Sequence, residues 1–150
     1  MLKSNVFTKK KAMGIVIICA ALLLGFILLR WYGAQRGSYD LSTLEGRESF
    51  LLSLGWEIDT ATEEFRSVVV PEKLEGIMSQ YNRMQLAQGY DLNGHLGESC
   101  QQYSYQLTNY PDGEGPVYVT LYIQDKELIA GDIHSNSLNG FMHGLKKVVQ

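Results

Sequence analysis

Three stretches decide the fold: Tyr103-Ser-Tyr-Gln-Leu-Thr-Asn109, Val117-Tyr-Val-Thr-Leu-Tyr-Ile123 and Leu128-Ile-Ala-Gly-Asp-Ile133. In the first, Tyr103, Tyr105 and Leu107 alternate with Ser104, Gln106 and Thr108, the period of a half-buried antiparallel strand. The second repeats the pattern with Val117, Val119, Leu121 and Ile123 on one face. Between them, Asn109-Tyr-Pro-Asp-Gly-Glu-Gly-Pro116 is dense in turn formers, and Gln124-Asp-Lys-Glu127 is short enough to be a hairpin turn. Three antiparallel strands in sequence predict a meander. Parity places Cys100 on the polar face of the first strand.

Working toward the N-terminus, Pro71 with Glu72 and Glu75 reads as a helix start. Leu74, Ile77, Met78, Tyr81 and Met84 then recur at helical spacing as one apolar stripe, Gln85 and Gln88 continue it in polar form, and Gly89 ends it. Trp56–Ile58 and Arg66–Val70 read as two strands joined by a polar link over 59–64. Ser42 or Thr43 caps an earlier helix, whose apolar face is Phe50, Leu51 and Leu54 and whose stop is Gly55. The expected architecture is α+β: one main helix packed on an antiparallel meander sheet, in two layers around a single core, preceded by a small amphipathic helix.

The start of the chain has a different character. Ala12 to Leu29 is an uncharged apolar run without proline. As a helix its 18 residues span ~27 Å, close to the ~30 Å hydrocarbon core of a bilayer. Arg30, Trp31 and Tyr32 follow, residue types suited to a membrane interface. Lys3, Lys9, Lys10 and Lys11 precede the run, which favours a cytoplasmic N-terminus and an exported C-terminal part. Trp31 and Tyr32 stand where a signal peptidase site needs small residues, so an uncleaved, single-pass anchor is expected. The expected layout is a cytoplasmic basic segment over 1–11, a transmembrane anchor over 12–32 that engages the lipid bilayer, a spacer and amphipathic helix over 33–54, and an exported domain over 55–150.

Charge divides along the same line. Residues 1–36 carry six basic groups and no acids, whereas residues 37–150 carry seven basic and sixteen acidic groups. A net charge of −9 repels nucleic acid and excludes it as a partner. Cys19 lies in the apolar run and Cys100 stands alone beyond it, so no disulfide framework staples the domain.

No motif for a cofactor is present, and none is expected. Asp132, His134 and His143 have the chemistry of zinc ligands, and three protein ligands would suit a metal-assisted envelope hydrolase. Ser135, His143 and Asp132 contain the residue types of a nucleophilic triad, but the Gly-x-Ser-x-Gly elbow is missing. Without a catalytic constellation, a binding or interaction module is the leading reading. Its candidate contacts are Tyr81, Asn82, Gln85, Tyr90, Asp91, Asn109 and Tyr110, with Asp132, Phe141 and His143 from the C-terminal cluster. Tyrosine and amide side chains pair flat apolar faces with hydrogen bonds, which suits an envelope peptide, a glycan or a neighbouring membrane protein.

Six islands fall in order along the exported part: Gly55-Trp56, Val70-Pro71, Tyr81-Asn82 through Gln88-Gly89-Tyr90-Asp91-Leu92, Asn109-Tyr110-Pro111, Gly131-Asp132 and Gly140-Phe141-Met142-His143-Gly144-Leu145. In order and spacing this pattern resembles the bacterial "domain of unknown function 4830" family, small proteins of Gram-positive clostridia and their relatives with one N-terminal membrane anchor. The resemblance covers Gly55 to Leu145. It implies an anchor with a single exported domain and carries no assigned activity. It further implies that many members have cysteine where this chain has His134, so chemistry needing that thiol does not transfer and the surrounding pocket varies.

Overall fold

The alternating stretches build one antiparallel sheet. In the computed structural model, which describes residues 21–25, 39–111 and 115–146, the elements run α1 (Leu44–Ser53), β1 (Ile58–Val69), α2 (Ile77–Gln88), a short 3-10 turn (Leu92–His95), β2 (Ser99–Leu107), β3 (Val117–Gln124), β4 (Glu127–Ser135) and β5 (Met142–His143). The five strands are ordered β1-β2-β3-β4-β5, a meander with every neighbour antiparallel. The α+β class and the meander are as the sequence predicts. Asp125 and Lys126 form the two-residue β3–β4 turn at φ 48° and 73°, the left-handed values a tight hairpin of this twist requires.

Residues 21–25 are helical, and the rest of the apolar run 12–32, like the basic segment 1–11, lies outside the described residues. Among the described residues no helix is long and apolar enough to cross a membrane. Tyr39–Gln150 forms one compact unit.

The sheet is covered on both faces, and this corrects the expected two layers around one core. On one face Tyr103, Tyr105, Val119, Leu121 and Ile133 pack with Leu51 of α1, Trp56 and Leu145. On the other face Val70, Leu92, Cys100, Ile129 and Ala130 pack with Met78 and Tyr81 of α2. Cys100 therefore lies on the parity-predicted face, yet it is buried because α2 roofs that end of it. Each buried aliphatic or aromatic side chain in these clusters contributes about 1.5–3 kcal/mol.

Two element boundaries also move. The polar link over 59–64 is part of β1, which runs unbroken from Ile58 to Val69. As the outer strand it faces solvent along most of its length, so its residues have no need to be apolar. Its register shifts between Asp59 and Glu64, where Thr62 Oγ1 accepts from Gln106 N at 2.9 Å and holds the irregular turn of strand against β2. The main helix starts at Ile77 rather than Pro71, because Gly76 adopts φ 55° and ψ −120° and breaks any helix through it. Leu74 thus leaves the helical stripe.

The helix turns the stripe of Met78, Tyr81, Gln85 and Gln88 inward, and its polar continuation is the more deeply buried part. Its buried residues are Asn82 and Gln85, whereas Ile77 is 82% exposed. Gln85 explains the orientation. At Ile133 and His134 β4 pairs with the two-residue β5, but at Gly131 its outer edge meets α2. Gln85 Nε2 donates to Gly131 O at 3.1 Å and Gln85 Oε1 accepts from Gly131 N at 3.0 Å, so one side-chain amide replaces a missing strand. Gln88 adds a donor to Gly131 O at 3.0 Å and accepts from Leu145 N at 2.6 Å. A Cβ at Gly131 would stand 2.7 Å from Leu145 Cδ1 and 3.2 Å from Thr120 O, so any larger residue has to displace Leu145.

A second polar hub lies beneath α1. Thr43 caps this helix through Gly46 N at 3.0 Å, and Arg47 in the next turn is 3% exposed. Its guanidinium donates to Tyr105 Oη at 2.6 Å, to Leu41 O at 3.0 Å and to Glu63 at 2.9 Å, and it lies 3.7 Å over the Tyr103 ring. Tyr105 also donates to Glu63. Burial opposes the ionised form of Glu63, but the Tyr105 and Arg47 hydrogen bonds and the Arg47 charge outweigh it and hold the carboxyl below its usual range.

Two outcomes follow. Gln85→Leu leaves Gly131 N without its partner and Gly131 O with Gln88 alone, and lowers unfolding stability by about 1–3 kcal/mol in urea titration, while exposed Leu86→Ala changes it by less than about 0.5 kcal/mol. Because the Glu63 pKa is depressed in the folded state, its stabilising share is full above the ordinary glutamate value of 4.5 and is lost as pH falls through the lower folded value. Glu63→Gln accordingly flattens the acid limb of the melting-temperature profile; an unchanged limb would refute the role given to this hub.

Candidate functional site

Alternation along β2, β3 and β4 sorts their polar residues onto the face shared with α2. Gln102, Tyr122 and Ala130 form one cross-strand row, Ser104, Thr120 and Asp132 the next, and Gln106, Tyr118 and His134 the third. Anchored at Gly131 by its glutamines, α2 lies over the β4 side of this face. Between the helix and the sheet runs a groove of about 820 Å³. One end is apolar, with Val68, Val70, Met78, Leu92 and Cys100. Toward the other, Thr120, Asp132, His134 and Asn136 take over. Ile77, Val69 and Met142 line it with 82%, 61% and 54% of their surface exposed, forming an apolar rim.

Asp132 organises the polar end. It is 2% exposed, and its two oxygens are divided between neighbours. Tyr81 donates to Oδ2 at 2.7 Å, and His134 Nδ1 lies 2.8 Å from Oδ1. The Tyr81 and Tyr122 rings meet edge to face at 6.1 Å, and their hydroxyls also interact. Burial first, and then the Asp132 charge, push the Tyr81 hydroxyl far above its ordinary value and raise that of Tyr122 to about 12. Both phenols stay protonated, and Tyr81 acts as the donor to Asp132. His134 stacks on Tyr118 at 6.0 Å, which fixes the imidazole plane.

The ten residues singled out from sequence separate into three groups. Tyr81 and Asp132 meet at the groove. Asn82, Gln85, Asp91 and Asn109 serve the backbone instead. Asn82 clamps Leu92 N at 2.8 Å and Asp91 at 3.0 Å; Asp91 caps the 3-10 turn through Asn93 N at 3.0 Å; Asn109 bridges Glu57 N and Gly55 O, each at 3.0 Å. Tyr90, half-buried, follows α2 and donates its N–H to Gln85 O at 3.0 Å. Tyr110, Phe141 and His143 gather elsewhere, in an aromatic stack with Trp56. Tyr110 lies 5.6 Å from Trp56 and 5.2 Å from Phe141, and its hydroxyl is 3.0 Å from His143 Nε2. Trp56 in turn donates to Leu145 O at 2.6 Å, so this stack closes the C-terminal segment onto the core.

His143 therefore does not join Asp132 and His134. It pairs with Ile133 across β4 and β5, on the face opposite theirs, and its Nδ1 is 2.7 Å from Gly144 O. No group of three metal-ligating side chains assembles among the described residues. Ser135 engages Ser137 at 3.0 Å and has the parity of Ile133, so the triad of Ser135, His143 and Asp132 is not brought together either.

Sequence reading missed Thr120, Tyr122, Gln102 and Asn136 as groove residues. Strand parity was the signal that could have found the first three, since each alternates with a core residue and falls on the face of Asp132. No family model, curated protein or solved structure matches the chain, so the site is defined by its own geometry.

Cys100 offers a direct check on the burial of the groove's apolar end. At 4% exposure, with its thiol pKa raised by burial, it reacts with maleimide only when the domain unfolds, and its labelling rate follows the unfolding curve in denaturant. Fast labelling of the native protein would show that α2 does not cover it.

Proposed function

We propose that the protein is a membrane-anchored extracytoplasmic binding module whose ligand site is the groove between α2 and the sheet. The observation that carries this reading is a concave site of about 820 Å³ with apolar walls and a few convergent polar groups around buried Asp132, the usual composition of a ligand site. Dispersal of the catalytic candidates supports binding over hydrolysis, since His143 and Ser135 face away from Asp132. The anchor rests on the apolar run Ala12–Leu29, and its orientation on the basic residues ahead of it. Those features, and the layout implied by the six islands, support a position for the domain beside the outer face of the membrane, with a peptide, a glycan or a neighbouring membrane protein as its partner. Its acidic character keeps it apart from anionic headgroups.

The test uses the full chain reconstituted in lipid nanodiscs and a thermal-unfolding screen against wall peptides, wall glycans and divalent metals. A ligand that binds only the folded state raises the melting temperature, by an amount that grows with its concentration. Ile77→Arg, a change at a surface position that costs little stability, abolishes that rise by placing a charge at the groove rim. A rise that survives Ile77→Arg and Met142→Arg alike would move the site away from the groove.

A further inference from the structure

Two properties of the groove bear on its ligand. The first is its polarity gradient. Cys100 and His134 belong to side-chain rows six residues apart along the sheet, about 20 Å at the rise of a strand. Val68, Val70, Met78 and Leu92 line the Cys100 end, whereas Thr120, Asp132, His134 and Asn136 gather toward the other. The second property is the bonding state of His134. Asp132 Oδ1 faces Nδ1 at 2.8 Å, and a carboxylate accepts, so Nδ1 carries the proton. In neutral imidazole this leaves Nε2 as an acceptor. Nε2 has no hydrogen bond to protein among the described residues, and the side chain is 22% exposed where it lines the groove.

The electrostatics point the same way. Asp132 is buried, and among the described residues neither Lys nor Arg forms an ion pair with it. A carboxylate behind the imidazole makes Nε2 a stronger acceptor and opposes an approaching anion. The net charge of −9 over residues 37–150 acts in the same sense at longer range.

From these observations we infer that the groove binds an aliphatic chain ending in a hydrogen-bond donor, an amine or a hydroxyl, with the donor on His134 Nε2 and the chain running from it toward the apolar end at Val68, Val70, Met78 and Leu92. The inference rests on the groove being the ligand site and adds the chemical class of what fills it. A carboxylate or phosphate end group is rejected, because it meets the acceptor side of His134 with Asp132 behind it.

Methionine supplies the readout. Met78, Met84 and Met142 all line the groove. The full chain, labelled with [13C]methyl methionine in nanodiscs, is titrated with octylamine, octan-1-ol and octanoate. Octylamine and octan-1-ol shift the Met78 and Met142 methyl signals saturably, and octanoate binds at least about tenfold more weakly, the value of one good hydrogen bond. The comparison between octylamine and octan-1-ol shows whether the donor's charge adds to the hydrogen bond. His134→Phe removes the preference over octanoate and retains chain binding. Equal binding of octanoate to the wild-type chain would overturn the inference, and this result needs no variant to fold. A preference unchanged in folded His134→Phe would overturn it also. Should the octyl probes leave the methionines unshifted while a wall fragment raises the melting temperature through Ile77, the ligand class fails and the groove reading survives. If nothing raises the melting temperature or shifts the methionines, both fail together.

Discussion

One side-chain amide holds the two halves of this domain in register. Gln85 gives Gly131 the donor and the acceptor that a further strand would have supplied, in a place where the side chain is wholly buried. A helix can close a sheet edge in this way only if an amide lies on its inward stripe, where Gln85 follows Met78 and Tyr81, while Ile77 and Leu86 stay exposed. Gln88 extends the same contact to Leu145 N, and Leu145 then fills the space over Gly131. Helix, edge strand and C-terminal segment are locked together at one glycine. Removing water from an unpaired amide and carbonyl costs more than most single apolar contacts return, so this bracket decides where α2 sits.

The groove is a consequence of that placement. Tied to the β4 side, α2 cannot centre itself over the sheet, and the face toward β1 and β2 is left partly uncovered. The sheet's own alternation then determines what lines the gap: Gln102, Thr120, Tyr122, Asp132 and His134 are the residues whose parity faces the helix. Tyr81 comes from the helix itself, and its hydrogen bond to Asp132 ties the polar end of the groove to the roof above it.

The meander was legible because alternation, turn residues and strand length agree in residues 103–133. The stop at Gly55 and the cap at Thr43 were legible for the same reason, since local backbone chemistry settles them. What failed was any step that depended on partners far along the chain. The stripe of Leu74, Ile77, Met78, Tyr81 and Met84 gives the right helix and puts Gln85 on its inward side, but the partner of that amide, Gly131, lies 46 residues away and is not legible from the helix. Nothing local singles out Arg47, because its burial partners are Tyr105, 58 residues away, and Glu63. The C-terminal candidates behaved likewise: Asp132 and His134 share a face by strand parity, whereas the return of the chain through β5 puts His143 on the other side.

The outer strand β1 has one more implication. It presents twelve residues of open edge, twice the usual strand length, and Asp59, Glu63 and Glu64 stand along it with Arg66 as the sole opposite charge. Two such edges laid side by side would bring acid against acid and leave Arg66 and Glu64, already 3.3 Å apart, to break their own pair. An edge of this kind is self-avoiding. An uncharged edge of this length would template pairing with a neighbouring copy. The acids that make β1 hard to recognise as one strand are what keep a second copy from pairing along it.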